Sequence, residues 1–118
     1  MILSDFNPNS PSGVKSNLFG LPYTPENSEI VIIPVPWDVT VSYSDGTSGA
    51  PEKILNASKQ VDLFDPEIPG VWKMGVSMGS VPAQWKKLNS ILRKKAKRYM
   101  VANNELVTNI TNEDTTIR

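Results

Sequence analysis

The sequence predicts an α/β fold with a parallel sheet, and three observations support this fold class. Residues 30–33 form an unbroken run of β-branched apolar side chains, which Pro34 and Pro36 close. Such a run is typical of a central parallel strand covered on both faces, and the prolines end its pairing because they donate no backbone hydrogen bond. Pro51 then marks a helix start, and an apolar stripe predicts a longer helix over residues 82–103.

The carboxyl end of the predicted strand leads into a loop over residues 37–46, and in open α/β sheets ligands bind at that edge. The stretch 37–49 is dense in hydroxyl and carboxylate side chains. A phosphate site is disfavoured because the P-loop pattern is absent, and Asp38 and Asp45 are fewer ligands than an octahedral divalent cation usually needs. We therefore predict turn-forming and helix-capping roles for most of these side chains.

Periodicity predicts the remaining elements. The first helix ends before Asp65, because a residue that precedes proline disfavours the helical region, and its weak apolar stripe comprises Ile54, Leu55, Ser58 and Val61. Alternation with period two predicts a half-buried second strand that contains Trp72, Met74, Val76 and Met78. The stripe of the longer helix comprises Trp85, Leu88, Ile91, Leu92, Ala96 and Tyr99. Trp72 and Trp85 are predicted to be core anchors.

The two ends of the chain are predicted to lie outside the domain. Residues 1–28 are rich in turn formers and are interpreted as an arm on the surface. Its apolar side chains at Leu18, Phe19, Leu21 and Tyr23 are expected to be exposed and able to dock on a partner. Residues 104–118 are polar and are expected to form a frayed tail. The α/β domain itself is predicted over residues 29–103.

Composition excludes several function classes. The chain has 118 residues, 39% hydrophobic and 20% charged, with a formal net charge of +0, so one small globular domain is expected and no polyanionic partner is indicated. It has no Cys and no His, which excludes thiolate chemistry, disulfides, a Ser-His-Asp triad and imidazole metal ligands. No secretory signal or membrane-spanning run is recognisable, so a cytoplasmic location is expected.

One region is nevertheless strongly basic. Residues 68–104 contain no acidic residue. Their basic residues are Lys73, Lys86, Lys87, Arg93, Lys94, Lys95, Lys97 and Arg98. All but Lys73 fall broadly opposite the apolar stripe on a helical wheel, which predicts an ordinary solvated face. Nucleic-acid binding is the alternative, but no aromatic residue lies among these charges to stack on a base.

The run over residues 32–58 resembles the opening strand and helix of the ureohydrolases, the arginase and agmatinase family, with agmatinase the closer likeness. The family's turn is matched by Val35, Pro36, Trp37 and Asp38, and its following positions by Ser42, Gly46, Pro51, Ile54 and Ser58. Three residues depart from the family's pattern and suggest a divergent branch of the family: Ser44, Ala50 and Leu55. The likeness covers roughly residues 29–78.

The resemblance implies the N-terminal part of a three-layer α/β/α arginase-like fold. A complete family member is expected to hold two Mn²⁺ ions, to hydrolyse a small guanidino substrate such as agmatine to putrescine and urea, and to form a homo-oligomer without nucleic-acid or membrane partners. Its metal-binding segments, Gly-Gly-Asp-His, Asp-Ala-His-x-Asp and Ser-x-Asp-x-Asp-x-x-Asp-Pro, do not occur here. We therefore expect this chain to supply no catalytic, cofactor-binding or metal-binding residue. The alternative is a non-catalytic interaction module derived from that family.

Overall fold

A computed structural model describes residues 5–13 and 16–114, with side chains described as far as residue 105. Two strands, β1 (Ile30–Ile32) and β2 (Val76–Met78), and two helices, α1 (Ala50–Ser58) and α2 (Ala83–Asp114), form its regular structure. Short 3₁₀ turns lie at Leu18–Gly20, Thr47–Gly49 and Val71–Met74. Residues 1–4 and 14–15 of the predicted arm and 115–118 of the predicted tail lie outside the described residues.

The two strands form a parallel pair, with Ile30 opposite Val76 and Ile32 opposite Met78. The parallel sheet is thus confirmed, as a two-stranded sheet among the described residues. The prediction that β1 is central and covered on both faces is wrong, since Ile30, Val31 and Ile32 are 45%, 41% and 40% exposed. The physical reason is that β1 pairs with β2 alone among the described residues, so the sheet is too small to place it in an interior.

The hydrophobic core lies between β2 and the N-terminal segment. Leu18 and Leu21 are each 1% exposed, and Tyr23 and Met78 are also buried. The expectation that Leu18, Leu21 and Tyr23 are exposed is therefore wrong. The 3₁₀ turn at Leu18–Gly20 packs against β2. The Tyr23 hydroxyl donates to the carbonyl of Lys73, in the turn that precedes β2, at 3.0 Å. The predicted surface arm thus supplies most of the core.

The second strand is shorter than its periodicity predicted. Trp72 and Met74 belong to the Val71–Met74 turn, and only Val76–Met78 forms the strand. Gly75 separates the two with a φ of 78°, and a Cβ there would lie 3.0 Å from the Tyr23 ring. This left-handed conformation breaks the alternation, because L side chains rarely adopt it. The Trp72 ring packs against Phe6, with centroids 5.1 Å apart.

Both helices differ from their predicted extents. Helix α1 ends at Ser58, earlier than predicted, and the chain then runs through turns in which Asp62 and Asp65 accept backbone N–H groups two or three residues ahead. These local bonds compete with a continuing helix. Helix α2 continues to Asp114, so the segment after Asn103 is helical as far as the structure describes it, rather than frayed.

The apolar stripe of α2 is largely uncovered. Trp85, Leu88, Ile91 and Tyr99 are exposed, so the prediction that Trp85 anchors a core is wrong. The radius of gyration is 22.3 Å, against about 13 Å for a compact chain of roughly this length. The long helix therefore projects from the sheet without burying its apolar side. No helix in the described part of the chain is long and apolar enough to cross a membrane.

Candidate functional site

The candidate site is the loop over residues 34–49, which leaves the carboxyl end of β1 and leads into α1. Regular pairing ends where the Gly79 N–H donates to the Ile32 carbonyl at 3.0 Å, just before Pro34. Pro34 and Pro36 themselves are buried and supply no N–H to extend the ladder. The chain therefore turns away from the sheet at the edge where α/β proteins bind ligands.

Asp38 holds this loop together. Its carboxylate accepts hydrogen bonds from the N–H groups of Gly46 and Ser48 at 3.1 and 3.2 Å and from Nδ2 of Asn89 at 2.8 Å. Asn89, on α2, also accepts the Asp38 N–H through Oδ1 at 2.8 Å. Asp38 is 8% exposed and Asn89 6% exposed, so the pair is buried. One carboxylate thus fixes both ends of the loop and ties it to α2.

The hydrogen bonds around Asp38 favour its charged form. The side-chain bond from Asn89 is the largest cause, the backbone N–H groups of Gly46 and Ser48 add to it, and burial opposes them; together they lower the pKa of Asp38 to about 2. The group is therefore a permanently charged acceptor at neutral pH. A proton donor or general base near neutrality needs a much higher pKa, so Asp38 is suited to holding structure rather than to transferring protons.

The outer part of the loop is held by ion pairs. Asp45 accepts from Arg93 at 2.6 and 2.8 Å and contacts Lys97, while Arg93 also donates to the Val39 carbonyl at 2.9 Å. The side-chain bonds from Lys97 and Arg93 lower the pKa of Asp45. Two consecutive turns of α2 therefore bind both the backbone and the carboxylate of this loop.

These contacts correct the interpretation of the basic residues. Lys86, Arg93 and Lys97 are not part of a freely solvated face, because Lys86 pairs with Glu52 and the other two pair with Asp45. In the part of the chain whose side chains are described, Lys87, Lys94, Lys95 and Arg98 form no ion pair with an acidic side chain. The helix thus has a loop-binding face, an unpaired basic face and an apolar stripe.

A cavity of about 540 Å³ lies between the loop and α2. The carboxylates that line it are Asp38, Asp45 and Glu52, and each is already engaged by N–H groups or cations. The cations that line it are Lys86, Arg93, Lys94 and Lys97. Because four cations line the cavity against three carboxylates, it carries no surplus negative charge to attract a cationic ligand.

The residues present do not fit a binuclear metal centre. Within residues 5–13 and 16–114, no group of three or more His, Cys, Asp or Glu side chains comes together to hold a metal ion. Two metal ions need several free carboxylates and neutral nitrogen ligands, whereas the acids of this cavity are committed to other partners. The expectation that the chain supplies no catalytic, cofactor-binding or metal-binding residue stays a prediction.

The positions that resemble the ureohydrolase pattern have structural roles. Gly46 has a φ of 120°, which favours glycine, and its N–H reaches Asp38. Pro51 lies in the first turn of α1. The buried Ser58 Oγ donates to the Leu55 carbonyl at 2.8 Å and accepts the Phe19 N–H at 3.0 Å. The pattern therefore builds the loop and fastens α1 to the N-terminal segment.

Asn89 and Arg93 are the site residues that sequence reasoning missed or misplaced. The helical wheel places Arg93 among the solvated cations, whereas its side chain is only 12% exposed. Asn89 follows Leu88 of the apolar stripe, and a polar residue beside a predicted buried face was the available signal. Buried amides need hydrogen-bond partners, and this one finds them in the loop that follows the first strand.

Comparison with known proteins agrees with this geometry. Residues 28–113, well over half of the chain, match the sequence profile of the arginase family. The chain belongs to the arginase family. The match begins just before β1 and extends through the Asp38 loop to the last turns of α2, so the resemblance to the ureohydrolases is confirmed over a longer stretch than the sequence motifs covered.

Two curated relatives are N(1)-aminopropylagmatine ureohydrolases. The one from Synechocystis sp. is 36% identical over 42 residues, which are 36% of this chain and 14% of the relative. The one from Thermus thermophilus is 29% identical over 91 residues, which are 72% of this chain and 31% of the relative. The chain thus spans less than a third of the relatives that it matches. No solved structure gives a significant match.

Proposed function

We propose that this chain is the N-terminal portion of an agmatinase-like ureohydrolase whose complete form hydrolyses a guanidino compound with a binuclear manganese centre. The observation that carries the proposal is the arginase-family match over residues 28–113, which includes the whole Asp38 loop. Agmatine, giving putrescine and urea, is the substrate that the resemblance to the ureohydrolases implies. N(1)-aminopropylagmatine, for which both relatives are named, is the other guanidino substrate to test.

In the proposed reaction, water adds to the guanidinium carbon, the bond from that carbon to the substituted nitrogen breaks, and an amine and urea leave. A metal pair supplies the nucleophile for such chemistry by lowering the pKa of bound water. The described residues do not fit that centre, so we assign no catalytic step to them. Their proposed contribution is a wall of the site, formed by the loop that Asp38 and Asn89 hold at the carboxyl edge of β1.

Several finer properties belong to the same proposal. We propose that the complete protein has the three-layer α/β/α architecture, forms homo-oligomers, is cytoplasmic and binds neither nucleic acid nor membranes. We expect this chain alone to release no urea, because its described residues offer no group of side chains that suits the two metal ions. The proposed division is an N-terminal segment at 1–28, a partial ureohydrolase domain at 29–103 and a polar segment at 104–118.

The decisive experiment reads the coding DNA past Arg118 in all three frames. The proposal predicts the three metal-binding segments downstream, and it predicts urea release from the complete product with Mn²⁺ and either guanidino substrate. A matched sample of the 118-residue chain should release none. Urea release by the complete product without added or bound Mn²⁺ would contradict the metal mechanism, and a stop with none of the segments nearby would remove the enzyme reading for this gene product.

A non-catalytic interaction module is the second candidate. The observation that favours it is the exposed apolar surface of β1 and α2 in a chain that lacks a metal-binding group in its described part. Co-purification separates the two candidates. A stable hetero-oligomer between the 118-residue chain and a full-length relative favours the module, whereas an insoluble or molten lone chain favours the fragment.

A further inference from the structure

An apolar pocket of about 250 Å³ opens at the amino end of β2. The N-terminal segment contributes Phe19 and Leu21 to its walls. The stretch after α1, residues 61–65, contributes Phe64, and the turn before β2 contributes Trp72. The Asp38 loop leaves the opposite, carboxyl end of the parallel pair, and the two cavities share no lining residue. The pocket is therefore a second concave surface of this chain.

One wall of the pocket is held in an uncommon backbone conformation. Phe19 has a φ of 59° and a ψ of 21°, in the left-handed region that bulky side chains rarely adopt. Its N–H donates to the buried Ser58 Oγ at 3.0 Å, and Leu21 beside it in the wall is 1% exposed. Residues in such conformations persist where surrounding contacts hold them, and they are frequent at ligand sites. This wall is therefore preformed, as the walls of small-molecule sites usually are.

The charged part of the lining is acidic. It comprises Asp62 and Asp65, and the lining includes no Lys or Arg. Oδ1 of Asp62 accepts the Phe64 N–H at 2.9 Å, and Oδ1 of Asp65 accepts the N–H groups of Glu67 and Ile68 at 2.9 and 3.2 Å. Among the described residues, neither carboxylate forms an ion pair. The pocket therefore carries two negative charges that no cation of the described chain neutralises.

Apolar walls beside unpaired acids favour a ligand with an apolar body and a positive charge. The body leaves water when it contacts the walls, and the charge meets the carboxylates. Lys73, in the turn before β2, does not take that place, because its ammonium lies 5.8 Å from the centroid of the Trp72 ring and pairs with neither acid. Drug-sized ligands occupy about 300–1,000 Å³, so this smaller pocket suits a body of about six carbons or one ring.

We propose that this pocket binds a small organic cation, an alkyl- or arylammonium ion whose body lies against Phe64 and Trp72 and whose charge pairs with Asp62 and Asp65. A second copy of the chain offers related chemistry through the apolar stripe and unpaired lysines of α2. A helix with its side chains is about 10 Å across, however, and is too wide for this pocket. The proposal does not rest on the proposed function, because no residue of the Asp38 loop takes part.

The probe is n-hexylammonium chloride, added to the full 118-residue chain at constant ionic strength while the amide resonances of Phe64 and Val76 are followed. A ligand of this size should give saturable shifts with a dissociation constant of about 1–10 mM. Three controls divide its chemistry: 1-hexanol has the body without the charge, hexanoate reverses the charge, and methylammonium has the charge without the body. Each should bind at least about fivefold more weakly.

Two results of this titration would overturn the proposal outright: no saturable shift in the millimolar range, or binding of 1-hexanol or hexanoate as tight as that of n-hexylammonium. Resonances of Phe64 and Val76 that shift with the concentration of the chain alone would indicate a second copy in the pocket, and they would overturn it as well.

Asparagine substitutions remove the charge of the pocket and keep its turns. In Asp62→Asn and Asp65→Asn the side-chain oxygen still accepts the same backbone N–H groups, so the local fold is retained. The double variant should bind n-hexylammonium at least about fivefold more weakly and 1-hexanol equally well. Glu67→Gln is the matched control, because Glu67 lies in the same stretch and does not line the pocket. A loss in Glu67→Gln as large as in the double variant would contradict direct pairing.

Phe64→Ala tests the apolar wall. Phe64 is 76% exposed, so its removal should leave the fold intact. It should weaken binding of n-hexylammonium and of 1-hexanol by the same factor, at least about threefold, because both bury the same body. Ile68→Ala is the matched control, since Ile68 is 58% exposed and does not line the pocket. Unchanged affinity in Phe64→Ala, or an equal loss in Ile68→Ala, would overturn the proposed site.

Discussion

The N-terminal segment and α2 attach to the rest of the chain in opposite ways. The segment around Leu18 and Leu21 buries apolar side chains against β2 and leaves few of them in water. Helix α2 binds through polar side chains, chiefly Asn89 and Arg93, and leaves its apolar stripe exposed. Apolar burial contributes most of the stability of folded chains, whereas a hydrogen bond that replaces one to water contributes little net. The first contact is therefore self-sufficient, and the second mainly sets the position of α2.

The largest expected effect separates these two regions. Leu21→Ala should cost about 3 kcal/mol of unfolding free energy, because Leu21 is fully buried and its removal leaves a cavity. Leu88→Ala, the same change in the exposed stripe, should cost less than about 0.5 kcal/mol. Denaturant unfolding of the full chain, followed by tryptophan fluorescence, measures both. Similar losses of unfolding free energy in the two variants would mean that the apolar stripe of α2 is buried in solution, and they would contradict the difference between the two regions.

Exchanging the two partners of the buried pair tests the polar contact. Asp38→Asn sets two amide donors against each other, Asn89→Asp sets two carboxylates against each other, and each should cost about 2 kcal/mol. The double exchange restores a complete set, because the new amide at position 38 donates to the new carboxylate at 89. It should recover more than half of the loss.

Ser90→Ala is the matched control for the exchange, because Ser90 lines the same cavity but makes no bond to Asp38. It should leave the unfolding free energy within about 0.5 kcal/mol of the original chain. A double exchange no more stable than the single variants would show that the pair does not act as a unit.

The sequence predicted which local elements form better than it predicted which apolar surfaces are buried by another element. The run at 30–33, the prolines after it and Pro51 correctly indicated a parallel strand, a loop and a helix start, because these depend on backbone chemistry close in sequence. The same reasoning placed Leu18 and Leu21 outside the core, since a turn-rich segment with apolar side chains does not reveal which strand it packs on. The sequence also led to the expectation that the apolar sides of β1 and α2 are buried. Periodicity shows which side of an element is apolar, but it does not show whether another element packs against that side.

The sequence predicted where the candidate site lies, but it did not predict the contacts that hold the site together. The resemblance selected Asp38, Gly46 and Ser58, and all three fasten the loop or α1. What joins Asp38 to Asn89 is a contact 51 residues apart in the chain, which no local pattern contains. Long-range polar contacts of this kind depend on where α2 lies, so sequence spacing alone did not find them.

The stability of the chain is expected to depend on pH through Asp38. The pKa of Asp38 in the folded chain, about 2, lies below its ordinary value near 3.9. The charged carboxylate therefore contributes to the free energy of unfolding above about pH 4, and this contribution is lost as the pH falls toward 2. Asn89→Ala removes the largest cause of the lowered pKa, so its unfolding free energy should fall less steeply over that window. Asp45, whose pKa is also lowered, is present in both proteins, so the difference between their pH profiles reports on Asp38. Parallel profiles between pH 5 and pH 2 would contradict the assigned cause.

The smallest expected effect concerns the outer ion pairs of the loop. Asp45→Asn should speed amide exchange over residues 40–45 at low salt, because Arg93 and Lys97 then lose their charged partner. At about 1 M NaCl, where the Debye length is about 3 Å, the exposed Lys97–Asp45 pair is screened, so the effect of the variant should become smaller. Lys94 lines the same cavity but pairs with no acid among the described residues. Lys94→Gln should therefore leave amide exchange over residues 40–45 unchanged at both salt concentrations. If Asp45→Asn instead keeps its effect at high salt, the outer end of the loop is anchored as firmly as the buried Asp38–Asn89 pair.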